Sequence, residues 1–272
     1  MEPPQVHWLS VSPLSGRPSS KVTLTANPAG LPEGTHRTFL TVSVPGESAS
    51  KPPASIRVPV FLKVQPAAPG IAAAGVVNAA SYRNLPVAPG ELVALFGEGL
   101  GPHDPAEAED MPDVPESLGG VRVLIRGSPA GLLYVQENQI LAMIPRDIRS
   151  NESRRPAPLE LQLETGGAVS ATVELTSIDY QPALFTRGAS GQGYAAAVHE
   201  DGTINSATNP APRSSMVRLY ATGTAAACAS YASTDTWSPG LPVGLEVGGK
   251  AADVVSVRLV PGRSCGVQQI KF

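Results

Sequence analysis

Charge is scarce in this chain. Asp, Glu, Lys and Arg make up 16% of its 272 residues, against about 25% in an average soluble domain. The net charge is −3 and the pI near 5.8, so the basic footprint of a nucleic-acid partner or a polybasic membrane surface is missing. Long apolar runs are missing too. The longest candidate, Ile71 to Val77, is short and Ala-rich, far from the roughly 18 residues that cross a bilayer, so membrane insertion is not expected. Met1-Glu2-Pro3-Pro4 opens the chain without a basic segment leading into an apolar one, and no signal peptide is visible. The four histidines, at 7, 36, 103 and 199, and the two cysteines fall in no zinc-ligand spacing, and no cofactor is expected.

Glycine and proline are abundant instead, 27 and 28 residues. That excludes helical bundles and coiled coils and suits short strands joined by tight turns. Apolar residues, at 42%, suffice for true cores. Trp8 to Ser12 alternates apolar with polar, as do Val22 to Asn27, Phe39 to Val44 and, most clearly, Ile56, Val58, Val60, Leu62 and Val64. This is the period of a half-buried strand. The breaks fall at Pro13–Gly16, Pro28–Gly34 and Pro45–Pro53. After the stiff Gln65–Gly70 segment the rhythm resumes in Val93 and Leu95 and in Val121, Val123 and Ile125. Leu132–Val135 and Ile140–Ile144 are continuously apolar, and Leu159, Leu161 and Leu163 lead through Gly166-Gly167 into Val169–Ile178, a hairpin signal.

The last third repeats the second. Val93–Phe96 matches Val217–Tyr220 at an offset of 124, and Val121–Val135 matches Val243–Val257 at an offset of 122. Gln139-Ile140 matches Gln269-Ile270 after an eight-residue insertion that contains Cys265. A repeat of this length is a whole domain rather than a solenoid unit. The expected fold class is therefore all-β, with tandem immunoglobulin-like β-sandwiches: residues 1–65, a linker at 66–70, then 71–179 and 180–272.

Candidate chemistry is thin. Gly97-Glu98-Gly99-Leu100-Gly101 is not GxGxxG and runs into Pro102 rather than a helix, so it predicts a turn with φ > 0, not a phosphate cradle. Glu98, Asp104, Glu107, Glu109, Asp110, Asp113 and Glu116 lack EF-hand spacing and read as solvated carboxylates. His199-Glu200-Asp201-Gly202 reads as a hairpin turn rather than an acid/base cluster. No GxSxG elbow occurs, and Gly188-Ala189-Ser190-Gly191 lacks its second glycine spacing, so no catalytic residue is assigned. A hydrolase whose members are distant in sequence stays an alternative.

Tyr231 and Trp237, in the Ser/Thr/Asp/Pro-rich stretch 229–240, are the candidate ligand-binding aromatics, while Trp8 belongs to a strand and is expected in a core. Cys228 and Cys265 are either two buried thiols or one disulfide. The bond would close a loop of 36 residues, contribute roughly 3–4 kcal/mol in the chain-entropy model and imply an oxidising compartment.

Two resemblances accompany these readings. Trp8-Leu9-Ser10-Val11-Ser12-Pro13-Leu14-Ser15-Gly16, Val22-Thr23-Leu24-Thr25, Gly30–Thr35 and Val58–Leu62 resemble a BACON domain over nearly all of residues 6–64. The resemblance implies an immunoglobulin-like module of secreted bacterial proteins, associated with carbohydrate binding. Only Met1–His7 precede the Trp-Leu-Ser-Val motif where that family has strand sequence, so the chain is expected to be a piece of a longer protein. Gly75–Tyr82, Val87–Gly101, Tyr134–Ile140, Pro182–Thr186, Asp201–Asn205 and Asn209–Ala211 resemble, over about 71–272, an uncharacterised C-terminal domain family of large secreted acidobacterial proteins. Each half is also similar, more weakly, to the IPT/TIG fold. The chain departs from the family pattern at Thr222–Cys228, where a Gly-Leu-Gly-Pro-type turn is usual, and ends at Phe272, where a closing strand continues in the family. These resemblances imply a secreted or cell-surface, non-catalytic spacer, display or adhesion segment. Its partners would be neighbouring domains of the parent chain and polysaccharide or cell-surface glycans; a carbohydrate-binding module is the first alternative.

Overall fold

The computed structural model describes residues 6–17, 19–45, 54–64, 68–84, 86–109, 114–146, 148, 157–224, 243–260 and 262–272. Every regular element among them is a strand, and the protein is all-β. The chain divides into two compact units, Met1–Pro66 and Ala67–Phe272.

The first unit holds two antiparallel pairs. Strands β1 (Leu9–Ser12) and β2 (Thr23–Ala26) form one, and β3 (Gly34–Val44) and β4 (Ala54–Val64) the other. Trp8 is buried as expected, but it lies in the turn before β1 rather than in a strand. β3 starts at Gly34, five residues before the alternation at Phe39, because Thr35–Thr38 pair in register with Val60–Lys63 of β4. Pro59 is tolerated mid-strand because β4 pairs, among the described residues, on one edge only. One face of the pair carries a cation–π ladder: the Arg37 guanidinium lies 4.7 Å from the Phe39 ring and 5.5 Å from Phe61, and Arg57 lies 4.4 Å from Phe39.

The second unit opens with a two-sheet sandwich. Its strands are β5 (Gly70–Asn78), β6 (Leu92–Glu98), β7 (Ala106–Glu107), β8 (Val121–Ile125), β9 (Ser128–Pro129), β10 (Gly131–Gln136), β11 (Gln139–Met143), β12 (Ala157–Thr165), β13 (Ala168–Val169) and β14 (Val173–Ser177). One sheet runs β5-β6-β11-β10-β7; the other runs β13-β12-β8-β9, with β14 also on β12. Leu95, Val135 and Ile140 from the first sheet and Val121, Val123, Ile125, Leu159, Leu161 and Leu163 from the second share one fully enclosed core. The expected hairpin turn is at Gly166-Gly167, both with positive φ. Where the pairing then breaks, buried Ser170 accepts the Leu163 N–H (3.0 Å) and donates to the Ala171 carbonyl (2.8 Å), so the ladder group stays satisfied.

The rest of the unit contains β15 (Ala183–Leu184), β16 (Ala197–His199), β17 (Val217–Thr222), β18 (Leu245–Val247), β19 (Lys250–Ala252), β20 (Ser256–Leu259) and β21 (Gln268–Lys271). The sequence repeat reappears as identical register. In the first half Ile140 opposes Leu95 and Val135; in the second, Ile270 opposes Leu219 and Val257. Val76 opposite Leu95 corresponds to Ala197 opposite Leu219, and Ile71 opposite Gly97 to Leu184 opposite Ala221. The irregularity of β5 between Ile71 and Val76 is thus expanded in the second half into the 185–196 loop. The β8–β9 hairpin, turning at Arg126-Gly127, matches β18–β19, turning at Gly248-Gly249; all four turn residues have positive φ. A second, smaller core gathers Ala197, Val217, Leu219, Ala221, Val257 and Ile270.

Candidate functional site

The two halves of the second unit are docked by buried contacts. The Leu92 N–H donates to Thr222 Oγ1 (2.8 Å), so a side chain of one half ends a strand of the other. A Cβ on Gly191, which has φ +70°, would collide with the Ser81 carbonyl, and one on Gly266 would meet the Leu92 side chain at 2.5 Å. The insertion that carries Cys265 therefore serves as a docking loop. Cys265 is buried and disulfide-bonded; its sulfur lies 3.7 Å from Met143 Sδ and 3.8 Å from Arg146 Nη2 of the first half. Cys228, Tyr231 and Trp237 lie outside the described residues.

An apolar hollow lies in the second half. A cavity of about 410 Å³ is lined by Tyr180, Leu184, Thr224, Val243, Leu245 and Ile270, among others. Its size and apolar walls are those of a binding site. A substitution within the repeat falls at this hollow. Gly99 and Gly223 occupy the same left-handed turn position, at φ 63° and 74°. The next residue is Leu100 in the first half, wholly buried in the core, and Thr224 in the second, whose hydroxyl donates to Gln268 Oε1 (3.1 Å). The shorter polar side chain binds Gln268 where Leu100 enters the core of the first half. Its signal in the sequence is the departure at Thr222–Cys228, but that signal says only that the turn differs. Thr224 and Val243, the described residues flanking 225–242, both line this cavity.

The sequence motifs are spent on turns. In Gly97–Gly101 only Gly99 needs positive φ; Gly97 and Gly101 are required because a Cβ would strike the Gly70 carbonyl and, at 2.5 Å, Val135. His199 is buried with its ring nitrogens 3.1 Å from Asn205 Oδ1 and 3.2 Å from Thr203 Oγ1. Asp201 accepts the Thr203 N–H (2.8 Å) and hydroxyl (2.7 Å), which hold its carboxyl below the usual range. These bonds close the expected hairpin. Ser190 belongs to a turn in which Thr186 Oγ1 accepts the Ser190 and Gly191 N–H groups. Glu98, Asp104, Glu107, Glu109 and Glu116 are exposed, Asp110 and Asp113 lie outside the described residues, and no group of three metal-ligating side chains forms among those described.

Sequence reasoning missed Glu91. Its carboxylate is buried, accepting Asn78 Nδ2 (2.7 Å) on one oxygen and the Ala88 N–H (2.6 Å) on the other. Burial outweighs these bonds and pushes its pKa up to about 7. Its own neighbours, Pro89-Gly90 and Leu92, suggest a solvent-facing turn, and only the tertiary fold encloses it. Asn78 in turn accepts the Ala80 and Ser81 N–H groups (2.9 Å each), so the pair fixes two turns.

No family model, curated protein or solved structure matches the chain.

Proposed function

We propose that the chain is a non-catalytic spacer, display or adhesion segment of a larger secreted or surface-attached bacterial protein, built from BACON-like and IPT/TIG-like immunoglobulin-type modules. The observation that carries this reading is the docking of the repeated halves, in which Leu92, Thr222, Gly191 and Ser81 turn two sandwich-type modules into one compact unit. A segment that holds other domains at a fixed distance needs such stiffness, whereas independent binding modules on flexible tethers do not. The disulfide at Cys265, with Cys228 as the chain's one other cysteine, supports an oxidising compartment. Two measurements test the reading together. Nuclear relaxation is expected to give one common tumbling time for residues 67–272; separate times for the halves would overturn the spacer. A glycan array is expected to stay blank. Polysaccharide binding abolished by Trp237→Ala would replace this reading with a carbohydrate-binding module.

A further inference from the structure

Where the two halves of the second unit meet, they form a cleft of about 620 Å³. Ser81 and Arg83 of the first half line it together with Pro182, Leu184, Gly191 and Gly193 of the second. The segments that supply these residues, 81–83 and 181–195, are described throughout. Gly191 and Gly193 belong to the 185–196 loop, which the first half reduces to the irregularity of β5, so this wall has no counterpart there. Gly191 lies so close to the Ser81 carbonyl that a Cβ would strike it, whereas a Cβ on Gly193 would meet nothing within 4 Å. The halves thus touch at one glycine and stand apart at the other. Junctions between modules are a preferred place for small ligands, and the volume falls within the range of about 300–1,000 Å³ usual for their sites.

Arg83 is the one charged residue among the described lining residues. It is exposed, and among the described residues its guanidinium makes no ion pair. The backbone beneath it is held from several sides. The Asn78 N–H donates to the Arg83 carbonyl (3.1 Å), and the Tyr82 N–H donates to the Asn78 carbonyl (2.8 Å). Asn84 Nδ2 donates to the Ala73 and Val76 carbonyls at 2.7 Å each. Tyr82 takes φ 54°, a conformation that a bulky residue adopts only where its surroundings impose it. The buried Glu91–Asn78 pair stands behind this turn, since Asn78 Oδ1 accepts the Ala80 and Ser81 N–H groups. An unpaired guanidinium on a backbone fixed in this way is a cation positioned in advance of its partner. We propose that the cleft binds a small organic carboxylate. Arg83 takes the carboxylate through its paired N–H donors, and the apolar body of the ligand lies along Pro182 and Leu184. This inference goes beyond the spacer reading and does not depend on it.

The test uses the whole chain and three probes of one shape: phenylacetate, phenylacetamide and phenethylamine, which are anionic, neutral and cationic. Backbone amide resonances report where each binds. Phenylacetate is expected to shift Ser81, Arg83, Gly191 and Gly193 saturably, and to bind about two- to fivefold tighter than the amide, the range of an exposed ion pair. Arg83→Gln is expected to remove that preference while keeping the weak binding of the ring. Arg83→Glu is expected to make phenethylamine the tightest of the three. Unchanged resonances in β6 and β11 establish that the variants are folded, and the comparison of acid with amide on the unaltered chain stands without them. No saturable shift by about 50 mM overturns the proposal, because a ligand of this size binds in the millimolar range. So do shifts confined to other residues, equal affinity for acid and amide, or an acid preference that survives Arg83→Gln. None of these outcomes bears on the spacer reading, which the tumbling of the two halves tests.

Discussion

The two halves of the Ala67–Phe272 unit pair their strands in the same register, but among the described residues the core of the second is much the smaller. The first closes its core with the leucines of β12, so that Ile125 and Leu161 are sealed from water. The second keeps the sheet β15-β17-β21-β20 and the β18–β19 hairpin, and among the described residues β18 pairs with β19 only, with Val247 53% exposed. The second half also has the disulfide at Cys265 and the bonds that lean it on the first. The comparison teaches that register is set by the repeated pattern of each strand, whereas stability depends on which further element covers it.

The largest effect is expected where the second half depends on its staple. Replacing Cys228 and Cys265 with Ser is expected to cost roughly 3–4 kcal/mol, read by denaturation with hydrogen exchange; loss of protection in β17 and β21 but not in β6 and β11 would locate the cost in the second half. Substitution at equivalent sites sharpens the comparison. Ile125→Ala is expected to cost about 3 kcal/mol because it empties a closed core, whereas Val247→Ala costs under about 0.5 kcal/mol because the site faces water. Equal losses would break the distinction between the two positions.

Glu91 gives the halves different responses to pH, since Ser215 occupies its equivalent position. Its folded pKa is raised above the ordinary 4.5 to about 7. The folded state therefore binds the proton more tightly than the unfolded state, and the stabilisation this gives is complete below pH 4.5. It is lost as pH rises to 7, by up to about 3 kcal/mol. Denaturation midpoints between pH 4.5 and 8 are expected to show this fall; a flat profile would contradict the enclosure of Glu91. Gly191→Ala, which places a methyl against the Ser81 carbonyl at a positive φ, is expected to cost about 2 kcal/mol and to give the halves separate tumbling times. A silent variant would mean that the halves do not rely on that contact.

Much of the strand order was legible. Gly166-Gly167 marks a hairpin because glycine tolerates positive φ, and the offsets of 124 and 122 became matching registers. Other features were not legible. Ile56 and Val58 belong to the clearest alternating segment, yet they are exposed. Alternation places side chains on one face without supplying a cover for that face. Glu91 looks like a turn residue, and the insertion around Cys265 carries no mark of the surface it docks against.

By itself, the sequence determined the all-β class, the turns and the duplication, because these rest on backbone preferences and on a two-residue period that act between near neighbours. The tertiary structure alone decided that Thr224 binds Gln268 where Leu100 enters a core, that Glu91 is sealed from water, and that Val247 is exposed where Ile125 is buried. Those outcomes depend on residues distant in the chain, and on whether a second surface arrives to exclude water from the first.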